Sequence, residues 1–501
     1  MCTNTWHAPQ SPGEFSHKIS GLSEDCLYYY RFMAKNDSGT SWAPQTSVFV
    51  TSEVWFEKGS DAYFTGLISG EVKVHRKDSV IDKPLDIYYS IGGTAIPHVE
   101  YVKLPGVVTI PIGETNATIN IQPLPTTVMP KTKTLELELI SSCIKGNPSM
   151  ATVKIIGEDL DAWQKSMPIT FSGYTKEEVL TNFPALVVFE EGLSRPGFSY
   201  DGFLSGPYGD LRFIDETETM LAFEVESWDT SGKSYVWVRV PELAQNTTIY
   251  ALWGKADVEA PLSNTDGSVW HDGFAAVWHL NDMSGWDSSI NREHGTLKGG
   301  ITQDSDGAAG SALKFNGSNG YIDCGTGFNM IFKSATLSVW FKSNKLTALA
   351  GLIGKSAIGG NRRYSIFFES GYLYACFDVT GWVAPKTAWL DEYHDGTWHQ
   401  ITAVYDRQAD LKLFVDGEYK SSASLASQAS EEMITGVMFS MGRYASGYYY
   451  PGALDEARMM MEAVSDNWVW ATYQNMRHND TFNDYGEVAL QTPTGSIYVF
   501  R

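Results

Sequence analysis

Apolar and polar residues alternate with a period of two through most of this chain, in short runs separated by clusters of Gly, Asn, Asp, Ser and Pro. PLDIYYSIGGTA alternates, VVTIPIGETNATINIQPL sets two strands about a Gly-Glu turn, and TLELELI and ATVKII follow. WQKSMPITFSGY, TNFPALVVFEEG, SYVWVRVPEL and NTTIYALWG keep the same period, and no long amphipathic helix interrupts residues 160–266. From Val269, the phrases AVWHL, ALKFNGSNGYIDCG, TLSVWFK, DGTWHQITAVYD, LKLFVDG and GALDEARM read as consecutive short strands, with acidic residues concentrated at both ends. Pro84, Pro97, Pro105 and Pro111 stand at strand boundaries, where a missing N–H costs no ladder bond. The pattern predicts an all-β chain, a string of β-sandwiches ending in a jelly roll.

A chain of 501 residues is too long for one sandwich. Its phrases divide it into 1–52, 53–159, 160–266, 267–477 and a tail at 478–501 that adds a strand or starts a further unit. The net charge of -22 repels phosphate backbones and no basic patch offsets it, which argues against a nucleic-acid partner. No apolar run is long enough for membrane insertion. MCTNTWHAPQSPGEF has no positive segment followed by an apolar one, so the chain is expected to begin inside a larger polypeptide. Cys2, Cys26, Cys143, Cys324 and Cys376 form neither a disulfide framework nor a CxxC knuckle; if any two pair, Cys324 and Cys376 share a sandwich.

Four resemblances refine this division. GL-x4-LYYYR-x2-AKNDSGTSWAP resembles the second half of a fibronectin type III module over about residues 12–52. LDIYYSIGGTA, EYVKLPGVVTIPIGE and ATVKIIGED resemble a Calx-beta domain, a calcium-binding family. Here the turn QPLPTTVMPKTK carries Lys131 and Lys133 where that family has acids, leaving Glu53, Glu100, Glu158 and Asp159, so a rigid spacer is expected. L-x-NFPALV, GDLRFID, FEVESWD, SYVWVRVPEL and TIYALWG resemble the bacterial domain of unknown function 2341, which implies a secreted or surface setting and no assigned reaction. The phrases from AVWHL to GALDEARM resemble the laminin-G-like, concanavalin-type jelly rolls.

That last resemblance implies a structural calcium held between an early loop and a late strand. In GWDSSINREHG, Asp287, Ser289 and Asn291 offer oxygens at every second residue, and Asp455 is placed to complete the set from across the fold. The same residues also suit plain turn chemistry, in which Asp caps its own backbone without an ion. His279 and His294 have no HExxH or cysteine partner in sequence, so zinc is not expected.

Hydrolases on this scaffold carry ExDxE or ExDxxE on one strand, so that an acid and a nucleophile face one cleft. The nearest match is Glu224-Val225-Glu226-Ser227-Trp228-Asp229, with Trp228 where the last acid is needed, and it lies outside the jelly roll. Glu224 and Glu226 are expected on the solvent side of an amphipathic strand, and Asp455 and Glu456 on opposite faces of theirs. Loop-borne aromatics supply a sugar platform instead: Trp286, Trp382, Trp389, Tyr448 and Tyr449, with Arg362 as a cation. A loop tryptophan can equally plug the end of a sandwich. The expected function is recognition of an extracellular glycan or surface protein without catalysis, by a secreted or surface bacterial protein. A glycoside-active enzyme of polysaccharide breakdown, or the accessory region of one, is the alternative.

Overall fold

The structure is a computed structural model that describes residues 19, 21–22, 27–50, 53–64, 67–77, 84–124, 132–140, 144–157, 162–194, 197–270, 273–330, 333–344, 348–357, 362–388, 392–433 and 435–490. The chain is nearly all β, as the alternation requires, and forms two compact units, Met1–Glu158 and Asp159–Arg501.

In the first unit, Leu27–Tyr30 pairs with Ser47–Val50, and Met33–Asn36 with Gly39–Trp42. Among their described side chains, Tyr29 is 69% exposed and Trp42 is open as well. A sandwich follows, with a four-stranded sheet around Gly70–Arg76 and a five-stranded sheet around Lys133–Leu139. Val72, Val74, Leu135, Leu137 and Leu139 point into its core while Glu136 and Glu138 point out, the two-residue period expressed in burial. Glu100 accepts the Ile96 N–H at 2.7 Å and lies 3.6 Å from Lys133, and Glu53 lies 3.8 Å from Lys77. Lys131, Glu158 and Asp159 lie outside the described residues.

The second unit holds two lobes. In the first, one sheet runs Arg212–Asp215, Thr248–Trp253, Lys165–Thr170, and the other Leu180–Glu190, Lys233–Leu243, Phe223–Ser227. The second lobe is the jelly roll. Its eight-stranded sheet is ordered Ile301–Asp304, Ala312–Phe315, Ala453–Met460, Ala335–Lys342, Trp398–Tyr405, Asp410–Val415, Glu418–Ser424, with Phe274–Trp278 also on Ala453–Met460. Its seven-stranded sheet is ordered Thr296–Lys298, Tyr321–Asp323, Phe439–Met441, Ala350–Lys355, Arg363–Glu369, Tyr372–Asp378, Trp382–Val383. Trp278, Leu337, Tyr364, Phe377 and Tyr405 lie in the core between the two sheets. Cys324 and Cys376 are buried free thiols, and the pair left open from sequence is not formed: Cys324 joins the inter-sheet core, whereas Cys376 sits with Phe367 and Tyr444 on the other face of the seven-stranded sheet.

The helix Asp466–Arg477 was not expected from the strand pattern. Ser465 caps it, accepting the Trp468 N–H at 3.1 Å, with Asp466 in its first turn and Arg477 in its last. It leads back to the first lobe. Asp484–Tyr485 and Ala489–Leu490 both pair with Lys165–Thr170, so the segment assigned to a tail completes the sheet of a domain begun some three hundred residues earlier.

Leu180–Glu190 is an edge strand, and its free backbone groups need partners. Asn475 accepts the Leu186 N–H at 2.5 Å and donates to the Leu186 carbonyl at 3.1 Å, which Asn479 and Asn483 also reach at 2.8 Å. Tyr485 Oη accepts the Val188 N–H at 2.8 Å. Asn475→Leu is expected to leave the buried Leu186 N–H unpaired and cost about 1–3 kcal/mol. Urea denaturation with tryptophan fluorescence measures that loss.

Candidate functional site

On a sheet with one face in the core, the other face is set by the alternate residues of each strand. In Arg363–Glu369 and Tyr372–Asp378, Tyr364, Ile366, Phe368, Leu373, Ala375 and Phe377 enter the core, so Arg363, Phe367, Tyr372, Tyr374 and Asp378 share the outer face. There Trp382 is 47% exposed, with the Arg363 guanidinium 4.5 Å from its ring centre. Asp378 holds Arg363 at 3.0 Å and fixes that pairing. Lys386 Nζ lies 3.9 Å from the Tyr372 ring centre and 5.7 Å from that of Tyr374. Phe367 lies between Trp382 and Tyr444, at centroid distances of 6.2 and 4.8 Å, and Tyr444 pairs in register with Tyr448. Tyr449 adjoins Tyr321, whose ring carries the Arg443 guanidinium at 3.9 Å.

Trp382 and Tyr448 therefore border one aromatic and cationic strip through Phe367 and Tyr444, whereas Tyr449 belongs with Tyr321 and Arg443 near the other edge of the sheet. Arg362 borders the strip, exposed, donating to the Glu432 carbonyl. Trp286 does not belong to this strip. Its own loop is tied to the Thr296–Lys298 edge by Gly295 N–H donating to the Gly285 carbonyl at 2.8 Å. Trp382 belongs to the opposite edge strand, six strand spacings or roughly 29 Å away. Trp286 stacks on His294 at 4.1 Å and is 53% exposed. Trp389 lies outside the described residues.

The residues named for calcium are largely engaged with the chain itself. Asp287 Oδ1 accepts the N–H groups of Val277 and Ser289 at 2.9 and 2.8 Å, and Oδ2 accepts the Glu293 N–H at 2.7 Å and the Ser289 hydroxyl at 2.9 Å. Asn291 donates to the carbonyls of Phe274 and Ala275. Asp455 instead accepts the N–H groups of Ala308, Ala309 and Glu456, so it shares no partner with the Asp287 loop.

A second constellation corrects two sequence expectations. The side chain of Glu226 is wholly buried and that of Glu224 largely covered, because the strand face expected to meet solvent meets the jelly roll. Glu224 accepts the Trp270 indole N–H and, at 2.7 Å, the Ser288 hydroxyl; Glu226 accepts the Trp237 indole N–H at 2.8 Å. Asp455 and Glu456 do not take opposite faces in the expected way. In the pairing with Ala335–Lys342, Ser338 faces Arg458 but Trp340 faces Asp455, so Glu456 and Ala457 oppose Val339 alone. Glu456 has φ 46, and this bulge re-aims its side chain. Glu456 Oε1 then lies 2.5 Å from His279 Nδ1, and its other oxygen 2.5 Å from Arg458 Nη2. The Arg458 guanidinium packs on the rings of Trp237 and Trp270 at 4.3 and 4.9 Å.

Burial pushes the Glu226 carboxyl up to about 8, with Glu456 adding to the shift against the opposing pull of His279 and the Trp237 indole. Burial alone would lower His279, but Glu456 and Glu226 raise it well above the usual imidazole range. Burial would likewise raise Glu456, but His279 and Arg458 hold it below the usual carboxylate range. A cavity of about 20 Å³ beside Arg458 and Trp468 has room for a water molecule and none for a sugar. The missed residues, His279, Glu456 and Arg458, come from strands that meet only in three dimensions.

Residues 316–469 match the family model described as the Concanavalin A-like lectin/glucanases superfamily, and residues 207–289 match that of the Domain of unknown function (DUF2341). The chain thus carries a laminin-G-like, concanavalin-fold domain and a DUF2341 region. The DUF2341 match runs into the strand Phe274–Trp278, which belongs to the jelly-roll sheet. No curated protein matches the chain. Similar solved structures include the binding domain of Paraclostridial Mosquitocidal Protein 1, at 16% identity over 40% of this chain and 52% of that one, with a TM-score of 0.36. The receptor binding domain of botulinum neurotoxin C/D mosaic serotype matches at 14% identity over 40% and 51%, with a TM-score of 0.35. Domain 4 of AbnA, an extracellular arabinanase from Geobacillus stearothermophilus, in complex with arabinotriose, matches at 21% identity over 40% and 98%, with a TM-score of 0.32. The chain spans about half the length of the first two of these structures.

Proposed function

We propose that this chain is a binding protein whose jelly roll recognises an extracellular glycan on the outer face of its seven-stranded sheet. The observation that carries the reading is the exposed Trp382 ring held against Arg363, with Tyr374, Tyr372 and Lys386 on the same face. An indole offers a flat apolar surface for the C–H face of a sugar ring, while guanidinium and ammonium groups bind its hydroxyls or carboxylates. The centre of the other sheet's outer face is covered by the first lobe and the helix, where Trp340 stacks on Tyr473 at 5.6 Å. The fibronectin-like and Calx-beta-like segments belong to this reading as spacers of a secreted or surface bacterial protein.

The test is a panel of neutral and uronic polysaccharides offered to the full chain and read for both retention and new reducing ends. Retention without cleavage is expected, and Trp382→Ala should weaken it by about 1–3 kcal/mol, as loss of a binding hot spot does. New reducing ends would favour the glycoside-active alternative; retention unchanged in the variant would move the site elsewhere.

Calcium stabilisation of the jelly roll is a further part of the proposal. Asp287 already receives four hydrogen bonds, so an ion there must compete with them. Thermal melting in calcium and in chelator decides the matter. An upward shift of several degrees in calcium supports the ion, and equal midpoints leave the loop to its own hydrogen bonds.

A further inference from the structure

We infer that Glu226, His279 and Glu456 form a buried site for a divalent transition-metal ion that joins the DUF2341 lobe to the jelly roll. One donor atom from each of the three lies within 4.8 Å of the others. Glu226 comes from the first lobe, His279 follows the strand Phe274–Trp278 of the second and Glu456 sits at the bulge of Ala453–Met460, so the site exists only when the lobes are together. His279 Nδ1 faces both carboxylates, at 2.5 Å from Glu456 and 3.6 Å from Glu226. Zinc ligand bonds of about 2.0–2.2 Å put neighbouring donors roughly 3.3 Å apart in a tetrahedron. The Glu226 separation already suits this, and the Glu456 oxygen need move by less than about 1 Å.

A second observation is independent of that convergence. Glu226 Oε1 and His279 Nε2 are buried polar atoms without a hydrogen-bond partner, on side chains that are almost wholly enclosed. Such atoms are costly unless another group engages them. The oxygen 3.6 Å from His279 Nδ1 is Glu226 Oε2, which also accepts the Trp237 indole N–H. An ion held there would engage the unpartnered Oε1 as the second oxygen of the same carboxylate. With Nδ1 on the metal, His279 Nε2 carries the ring proton and points toward Glu224 Oε2, 3.7 Å away. Glu224 is itself fixed by Trp270 and Ser288, an arrangement that orients a ligating imidazole through a carboxylate behind it.

Glu224, Glu226 and Glu456 bring three carboxylates together beside Arg458, the one permanent cation among them. Arg458 does not block the site, since it holds the Glu456 oxygen that His279 does not face. Imidazole with two carboxylates suits zinc, manganese or iron, and the enclosed setting keeps the ion from exchanging freely.

The experiment uses the full chain, stripped with a chelator in mild denaturant and refolded with or without zinc. Zinc content, and the midpoint of thermal unfolding, are measured for wild type and for Glu226→Gln, a shape-conserving change whose fold is checked by near-ultraviolet circular dichroism. One retained zinc per chain with a raised midpoint is expected. In E226Q the affinity should fall about tenfold or more and the midpoint shift should vanish. Cobalt substitution should give a visible absorption band in the wild type that is lost in the variant. No retained ion, or retention unchanged by E226Q, would overturn the assignment.

Discussion

Truncation of the chain after Val464 is expected to abolish the cooperative folding of the DUF2341 lobe, although every residue removed follows the jelly roll. The deleted segment supplies Ala471 and Phe482 to that lobe's core, packs Trp468 and Trp470 against it, and pairs two strands with Lys165–Thr170. Fully burying an aromatic side chain contributes about 1.5–3 kcal/mol, so the buried Phe482 and the partly buried Trp468 and Trp470, with the Asn475, Asn483 and Tyr485 hydrogen bonds, come to about 5–10 kcal/mol. That is comparable to the whole stability of a typical domain, about 5–15 kcal/mol. Residues 267–477 expressed alone should fare poorly for the complementary reason, since Trp270 would lose Trp237 and Glu224 and the helix would lose the Leu186 strand edge. Chemical denaturation and limited proteolysis of 1–464 beside 1–501 test this. A first lobe that stays protected and unfolds cooperatively without the segment would refute the interlock.

That interlock also shows where sequence reading succeeds and where it stops. Strand alternation is local, so the buried Val72, Val74, Leu135 and Leu137 could be read directly, as could the jelly roll from its ordered phrases. The exposure of Trp286 and Trp382 followed from their turn-rich surroundings. Glu224 and Glu226 do occupy the non-core face of an amphipathic strand, but alternation cannot say whether solvent or another lobe covers that face. For Glu456 the two-residue period itself fails, because a bulge adds a residue and nothing in LDEARM announces it. The helix was legible and overlooked: Ser465 before Asp466 is a start signal, and Val469, Thr472 and Met476 follow at helical spacing. Its destination on a strand edge nearly three hundred residues upstream could not be read, since periodicity carries no information about partners.

In chelator, the stability of the chain is expected to fall as pH rises from about 5 to about 8, and Glu226→Gln is expected to flatten that fall. Glu226 faces Glu456 and His279 from the jelly roll, and Trp237 and Glu224 from its own sheet, with Asp455 and Arg458 close by. Its folded value of about 8 lies above the ordinary 4.5, so between these values the folded state holds a proton that the unfolded chain has released. Stability then decreases with pH by about 1.4 kcal/mol per unit across that window. His279 acts in the same direction: its raised value makes a contribution that is complete below 6.5 and is lost as pH rises through the folded value. Glu456 opposes them only in acid, because its lowered value gives stability that is present above 4.5 and lost below. Glutamine cannot ionise, and its carbonyl can still accept the Trp237 indole N–H, so E226Q removes one proton from the linkage while conserving the packing. Urea denaturation at pH 5, 6, 7 and 8 should show the variant gaining on the wild type at each step. Parallel curves for the two proteins would mean that Glu226 is ionised in the folded state throughout, with its charge compensated by His279 and Arg458 alone.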